Sequence, residues 1–179
     1  MSMSGLRMVV FLCAGVASAA IGLLALVTSV GVAYYTVFGM VLGCAGAVLA
    51  WLGLADLRPG PIVWAAVAVL AVIGLLASLL VVREDICCMF GYHRGLGYPW
   101  GWLDSGADAA TLDEIEEIAA APERLPLHLD PFKLLLDALF WTQAAVLAVI
   151  PAVLVLRGAR PDRPGDHEVV PPTRRRAVP

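Results

Sequence analysis

Four long apolar runs, parted by short polar breaks and one long acidic stretch, set the pattern of this chain. They cover about residues 8–27, 36–54, 62–82 and 132–156. Each is close to the ~20 residues a helix needs to cross a hydrocarbon core. In lipid a single segment satisfies its own backbone hydrogen bonds only as a helix. The pattern therefore predicts an all-α integral membrane protein: a four-transmembrane-helix bundle over residues 1–157 with a long loop over 83–131.

The breaks carry matching signals. Tyr34-Tyr35, Trp51 and Trp64 stand near span ends, where interfacial aromatic rings gather. Pro61 suits the first turn of the third helix, and Asp130-Pro131 gives the fourth an N-cap followed by a first-turn proline. Pro151 is expected to kink that helix. A signal peptide competes for the first run, because Ala17-Ser18-Ala19 resembles a cleavage site. The apolar sequence continues past that site, which favours a span. A lipoprotein signal does not fit, because Leu12 stands before Cys13 where a small residue is needed.

Within the long loop, Thr111-Leu112-Asp113-Glu114 has the form of a capping box. Leu112, Ile115, Ile118 and Ala119 follow at helical spacing until Pro122, which predicts a short amphipathic helix. Before it, Tyr98-Pro99-Trp100-Gly101-Trp102 reads as an aromatic turn lying in the membrane interface. No strand is expected.

Composition agrees with the membrane class: 60% of residues are hydrophobic and 15% charged, with mean hydropathy +0.84. The formal charge of −3 averages over two sides of a membrane. Arg7, Arg58 and the arginines from Arg157 to Arg163 fall on one side through four crossings. The positive-inside rule then puts both termini in the cytoplasm and the long loop outside the cell membrane. Residues 158–179 read as a disordered cytoplasmic tail rich in Arg and Pro. Lys133 is the one lysine, a bias towards arginine that suggests a GC-rich bacterial genome.

Candidate chemistry is sparse. Cys87, Cys88, Met89 and His93 lie together in the loop. Cys87 and Cys88 read as packed or unpaired thiols, as a redox pair, or, with Met89 and His93, as a soft ligand set for Cu(I). A vicinal disulfide would be strained, since neighbouring Cα atoms are closer than disulfides usually span. Gly91, Gly95, Gly97 and Gly101 follow a span rather than a strand, so no nucleotide loop is expected. Asp113, Glu114, Glu116 and Glu117 read as a solvated helix face, without the spacing of a calcium loop.

Within the spans, Gly39, Gly43 and Ala47 form a small-residue ridge for helix packing, and Ala14, Ser18 and Gly22 a similar one. Asp137 is expected near the interface, paired with Lys133 one turn away; contact with Arg83 or Arg94 is the alternative. No span carries a histidine or a pair of carboxylates, which argues against haem ligation and ion-coupled transport.

These features predict no cofactor, no nucleic-acid partner and no catalytic residue. They point to a multi-pass scaffold, assembly factor or accessory subunit. Its partners would be the lipid bilayer and either a membrane protein or further copies of itself, met through Tyr98, Trp100 and Trp102. A thiol–disulfide oxidoreductase or copper-handling protein using Cys87 and Cys88 is the alternative. A small channel or transporter lined by Ser18, Thr142 and Gln143 is another. The layout of spans and loops resembles that of tetraspanins in topology alone: Cys87-Cys88 is followed by Met89 rather than glycine, and the loop has no further cysteine.

Overall fold

The computed structural model describes residues 3–28, 33–55, 57, 59–87 and 91–158. The expected tail from 159 onward, Cys88, Met89 and Arg58 lie outside the described residues. Four helices are long and apolar enough to cross a membrane. They are α1 (Met3–Thr28), α2 (Ala33–Leu54), α3 (Pro61–Ser78) and α5 (Pro131–Gly158), and α4 (Leu112–Ala120) is a short helix between the last two. The protein is mostly helical and reads as a multi-pass membrane protein. The assignment of α5 runs unbroken through Pro151.

The expected third span to residue 82 is too long. Helix α3 stops at Ser78, and Val82 already opens a strand. Between α3 and α5 the chain forms a four-stranded antiparallel sheet in the order β1-β2-β3-β4. Its strands are β1 (Val82–Cys87), β2 (Gly91–Leu96), β3 (Leu103–Asp108) and β4 (His128–Leu129). The all-α description therefore holds for the spans but not for this segment. Val81 and Val82 extend the apolar run in sequence, yet the Val81 carbonyl accepts from the Gly97 N–H at 3.1 Å, outside any helix.

Helix α1 packs on α2, α2 on α5, and α5 on α3. The first pair meets backbone to backbone. A Cβ on Gly15 would stand 2.6 Å from the Gly46 carbonyl oxygen, and one on Gly22 2.6 Å from that of Gly39. Ser18, between them, donates to the Leu42 carbonyl at 3.0 Å. The closest approaches on α2 thus run Gly39, Gly46, Gly53, at seven-residue spacing; of the expected series Gly39, Gly43, Ala47, the Gly39 and Gly43 backbones both lie against Gly22. A Cβ on Gly43 would meet nothing within 4 Å, and Ala47 is exposed. The partner ridge is Gly15, Ser18, Gly22, and Ala14 faces outward. A seven-residue repeat keeps two antiparallel helices in step along their length, whereas a four-residue repeat drifts around the helix.

Leu49, Leu52, Val63, Val67, Val146 and Ile150 form the core where α2, α3 and α5 meet. Helix α4 starts where expected. The Thr111 hydroxyl accepts from the Glu114 N–H at 3.3 Å, and the Glu114 carboxylate reaches back to the Ala110 N–H at 2.9 Å. Replacing Thr111 by Ala removes this cap and is expected to cost about 1 kcal/mol. Hydrogen exchange should show it as faster exchange in α4 and no change in α5.

Candidate functional site

The strongest concentration of polar and aromatic groups lies where the sheet meets the bundle. Its foundation is the turn between β2 and β3. Gly97 has φ +124°, and the indole of Trp102 fills the side where a Cβ would point, so glycine is required there. The Tyr98–Pro99 peptide is cis. The turn lays Tyr98 and Trp100 onto the bundle beside Phe38, Leu42 and Phe140. Trp100 meets Phe38 edge-on at 4.5 Å between centroids, and Tyr98 meets Phe140 at 5.6 Å. Such pairs add to the burial of their surface.

Two hydrogen bonds fix the turn to α5. The Trp100 N–H donates to Asp137 Oδ1 at 2.9 Å, and Trp141 Nε1 donates to the Tyr98 carbonyl at 2.9 Å. Asp137 is fully buried, and its Oδ2 has no hydrogen-bond partner among the described residues. The expected pair with Lys133 does not form. Lys133 turns to Asp104 at 2.9 Å and to Asp130 at 3.5 Å. The reason is local: the turn delivers a backbone donor to Asp137, while β3 brings a carboxylate to Lys133.

Trp102 is buried at 8% exposure, and Tyr98 and Trp100 are half-buried against the helices. The three rings expected to face a partner thus pack on the protein itself, with Trp102 enclosed and Tyr98 and Trp100 keeping part of their surface open.

Residues opposite one another in an antiparallel ladder share a face. Arg83, Gly95 and Asp104 form the row nearest the bundle, Asp85, His93 and Gly106 the next, and Cys87, Gly91 and Asp108 the outermost. Over this face opens a groove of ≈ 620 Å³ whose lining includes Arg83, Asp85, His93, Trp100, Asp108 and Lys133. Arg83 lies over Tyr34, 4.5 Å from its centroid, with Tyr98 at 5.6 Å. It makes no ion pair among the described residues, and neither do Asp85, His93 and Asp108. Asp130, at the inner rim, caps α5 through the N–H groups of Phe132 and Lys133. The bond from the Lys133 N–H is the main force holding its carboxyl below the usual range.

The opposite face is covered over β2, while Ile86 of β1 stays open on it. Helix α4 packs on β2, and Ile115, Tyr92 and Ser105 are buried. Burial, and then the nearby Glu84 carboxylate, push the Tyr92 phenol above its usual range. Glu84 and Arg94 pair across the strands at 3.5 Å.

Of the soft-ligand candidates, Cys87 ends β1 and His93 is exposed on β2. The Cys87 side chain, Cys88 and Met89 lie outside what is described. Among the described residues no three His, Cys, Asp or Glu side chains gather as a metal site requires. Sequence reading missed Arg83, Asp85 and Asp108 as groove residues, because their grouping depends on strands that it did not expect.

These features define a class: a four-helix membrane protein with a small sheet fastened to one end of its bundle. No protein-family model, curated protein or solved structure matches the chain.

Proposed function

We propose that this chain is a non-enzymatic accessory or assembly subunit that presents the sheet end of its bundle to a second membrane protein or to another copy of itself. The observation that carries the reading is β1. Among the described residues it is an edge strand, paired with β2 alone, and its Val82 and Ile86 are 43% and 62% exposed. An open edge with apolar side chains is a template for strand addition, and proteins usually blunt or cover such edges. The anchoring of the turn through Trp100 and Asp137 supports the same reading, because a fixed platform loses less entropy on docking than a free loop. We place this end outside the cell membrane and both termini in the cytoplasm. Arg7 and the arginines from Arg157 onward flank the other end of the spans, as the positive-inside rule requires.

A photo-crosslinking residue at Ile86 tests the proposal in native membranes. Ile62, 83% exposed on α3, is the lipid-facing control. A discrete protein adduct, of the same mass in independent preparations, is expected from position 86 and none from position 62. A chain that migrates alone and gives no protein adduct from position 86 would overturn the reading.

A further inference from the structure

The end of the bundle away from the sheet has an opening of its own, between α1 and α3. We propose that it holds an anionic phospholipid, with one acyl chain in the opening and the phosphate against Arg7.

The opening follows from how the helices pair. Helix α1 packs on α2, and α3 packs on α5. A gap is thus left between α1 and α3 at the end of α2. Phe11 of α1 and Trp64 of α3 stack across it, with ring centroids 5.9 Å apart and planes at 15°. Beside those rings the gap widens into a cavity of ≈ 490 Å³. That lies within the range of about 300–1,000 Å³ usual for small-ligand sites.

The walls are fixed before any ligand arrives. Leu52 and Gly53, at the end of α2, are buried and form the back. Gly53 draws α1 in so closely that a Cβ there would meet the Phe11 Cβ at 3.1 Å and the Met8 carbonyl oxygen at 3.3 Å. The turn from α2 to α3 adds Leu57 and Pro59. The Leu57 N–H donates to the Leu52 carbonyl at 3.3 Å, which ties that turn to α2. A wall held in this way lowers the ordering cost of binding.

The chemistry of the lining selects an amphiphile. Among the described residues, Arg7 is the one charged side chain that lines the cavity, and the rest of the lining is apolar. Arg7 makes no ion pair among the described residues, so its donors are open to a phosphate. It stands near the start of α1, where a spanning helix meets the phosphates of a bilayer. From there the lining runs inward along α1 from Leu6 to Phe11, about 8 Å of helix rise. That length takes the part of an acyl chain next to the glycerol. Leu6 and Val10, 56% and 55% exposed, leave the cavity open to the surrounding lipid. A soluble anion would gain nothing from the apolar walls. A zwitterionic lipid brings a phosphate already balanced by its own ammonium, so a lipid of net negative charge is favoured.

The test uses full-length protein in nanodiscs holding equal parts phosphatidylglycerol and phosphatidylcholine. Native mass spectrometry reads which lipid stays bound after release. The unaltered protein is expected to retain phosphatidylglycerol roughly fivefold over phosphatidylcholine, as one arginine near the bilayer surface would give. Arg7→Gln should lose that preference. Val10→Trp, which fills the cavity, should retain less of both lipids. Val16→Trp is the control, because Val16 is 63% exposed on α1 outside the cavity and its variant should retain lipid as the unaltered protein does. Thermal unfolding matched to the unaltered protein shows that each variant is folded. A preference that survives Arg7→Gln would belong to the other arginines of the chain and would overturn the proposal. So would equal lipid retention by Val10→Trp and Val16→Trp. A mass of two chains that persists without lipid and disappears in Val10→Trp would give the cavity to a second copy instead, and would also overturn it.

Discussion

Replacing Trp102 with alanine is expected to lower the free energy of unfolding by about 3–5 kcal/mol, the usual cost of deleting a buried Trp ring. The side chain is 8% exposed and fills the space beside Gly97, whose left-handed φ leaves room for it. Without the ring the turn loses its inner wall beside Gly97. The indole Nε1 has no hydrogen-bond partner among the described residues. Trp102→Phe should therefore recover most of the loss, leaving a deficit of about 1 kcal/mol for the smaller ring. Thermal unfolding in detergent micelles measures the difference, and the double variant Cys87→Ser, Cys88→Ser is the comparison. A thiol variant that unfolds at a lower temperature than Trp102→Ala would return the cysteines to the centre of the structure.

The second large effect lies inside the membrane. Gly46→Ala is expected to destabilise the protein by about 1–3 kcal/mol, while Gly43→Ala, three residues away, should change stability by no more than about 0.5 kcal/mol. The contrast follows from what each new methyl would meet. At Gly46 a Cβ stands 2.5 Å from the Gly15 carbonyl oxygen and 2.7 Å from the Ala19 backbone nitrogen. Both are backbone atoms of a helix that cannot yield locally, so α1 and α2 must part. At Gly43 the methyl has open space. Equal effects at the two positions would show that α1 and α2 do not meet along the seven-residue ridge.

That ridge shows what the sequence could and could not disclose. Gly15 and Gly22, and Gly39, Gly46 and Gly53, are all visible as sevens in the chain. The four-residue series Gly39, Gly43, Ala47 is equally visible, and nothing local ranks one above the other. Which face a helix turns to its neighbour depends on that neighbour. The spans themselves were legible because burial in lipid demands long apolar runs, and four such helices are present. The cap on α4 was legible because Thr111 and Glu114 act within four residues of each other.

The sheet was not legible. Its three longer strands read Val-Arg-Glu-Asp-Ile-Cys, Gly-Tyr-His-Arg-Gly-Leu and Leu-Asp-Ser-Gly-Ala-Asp. They hold acids and glycines where β-branched and aromatic residues are expected, and no clean alternation marks a buried face. Their pairing draws support from outside the strands: Lys133 on Asp104, α4 over β2, and the Trp102 carbonyl receiving the Asp130 N–H at 2.9 Å. Asp137 was visible as an unusual residue, but its partner is a backbone N–H in sequence 37 residues away. Side-chain spacing along one helix pointed to Lys133 instead.

Trp141 joins the two halves of this molecule. Its ring lies over Gly74 of α3, so closely that a Cβ there would overlap it, while its N–H holds the Tyr98 carbonyl at the root of the sheet. One rigid side chain thus links α3, one turn from its end, to the turn beneath the sheet. Any sideways slip of α3 against α5 must tilt that ring and pull on the turn below the sheet.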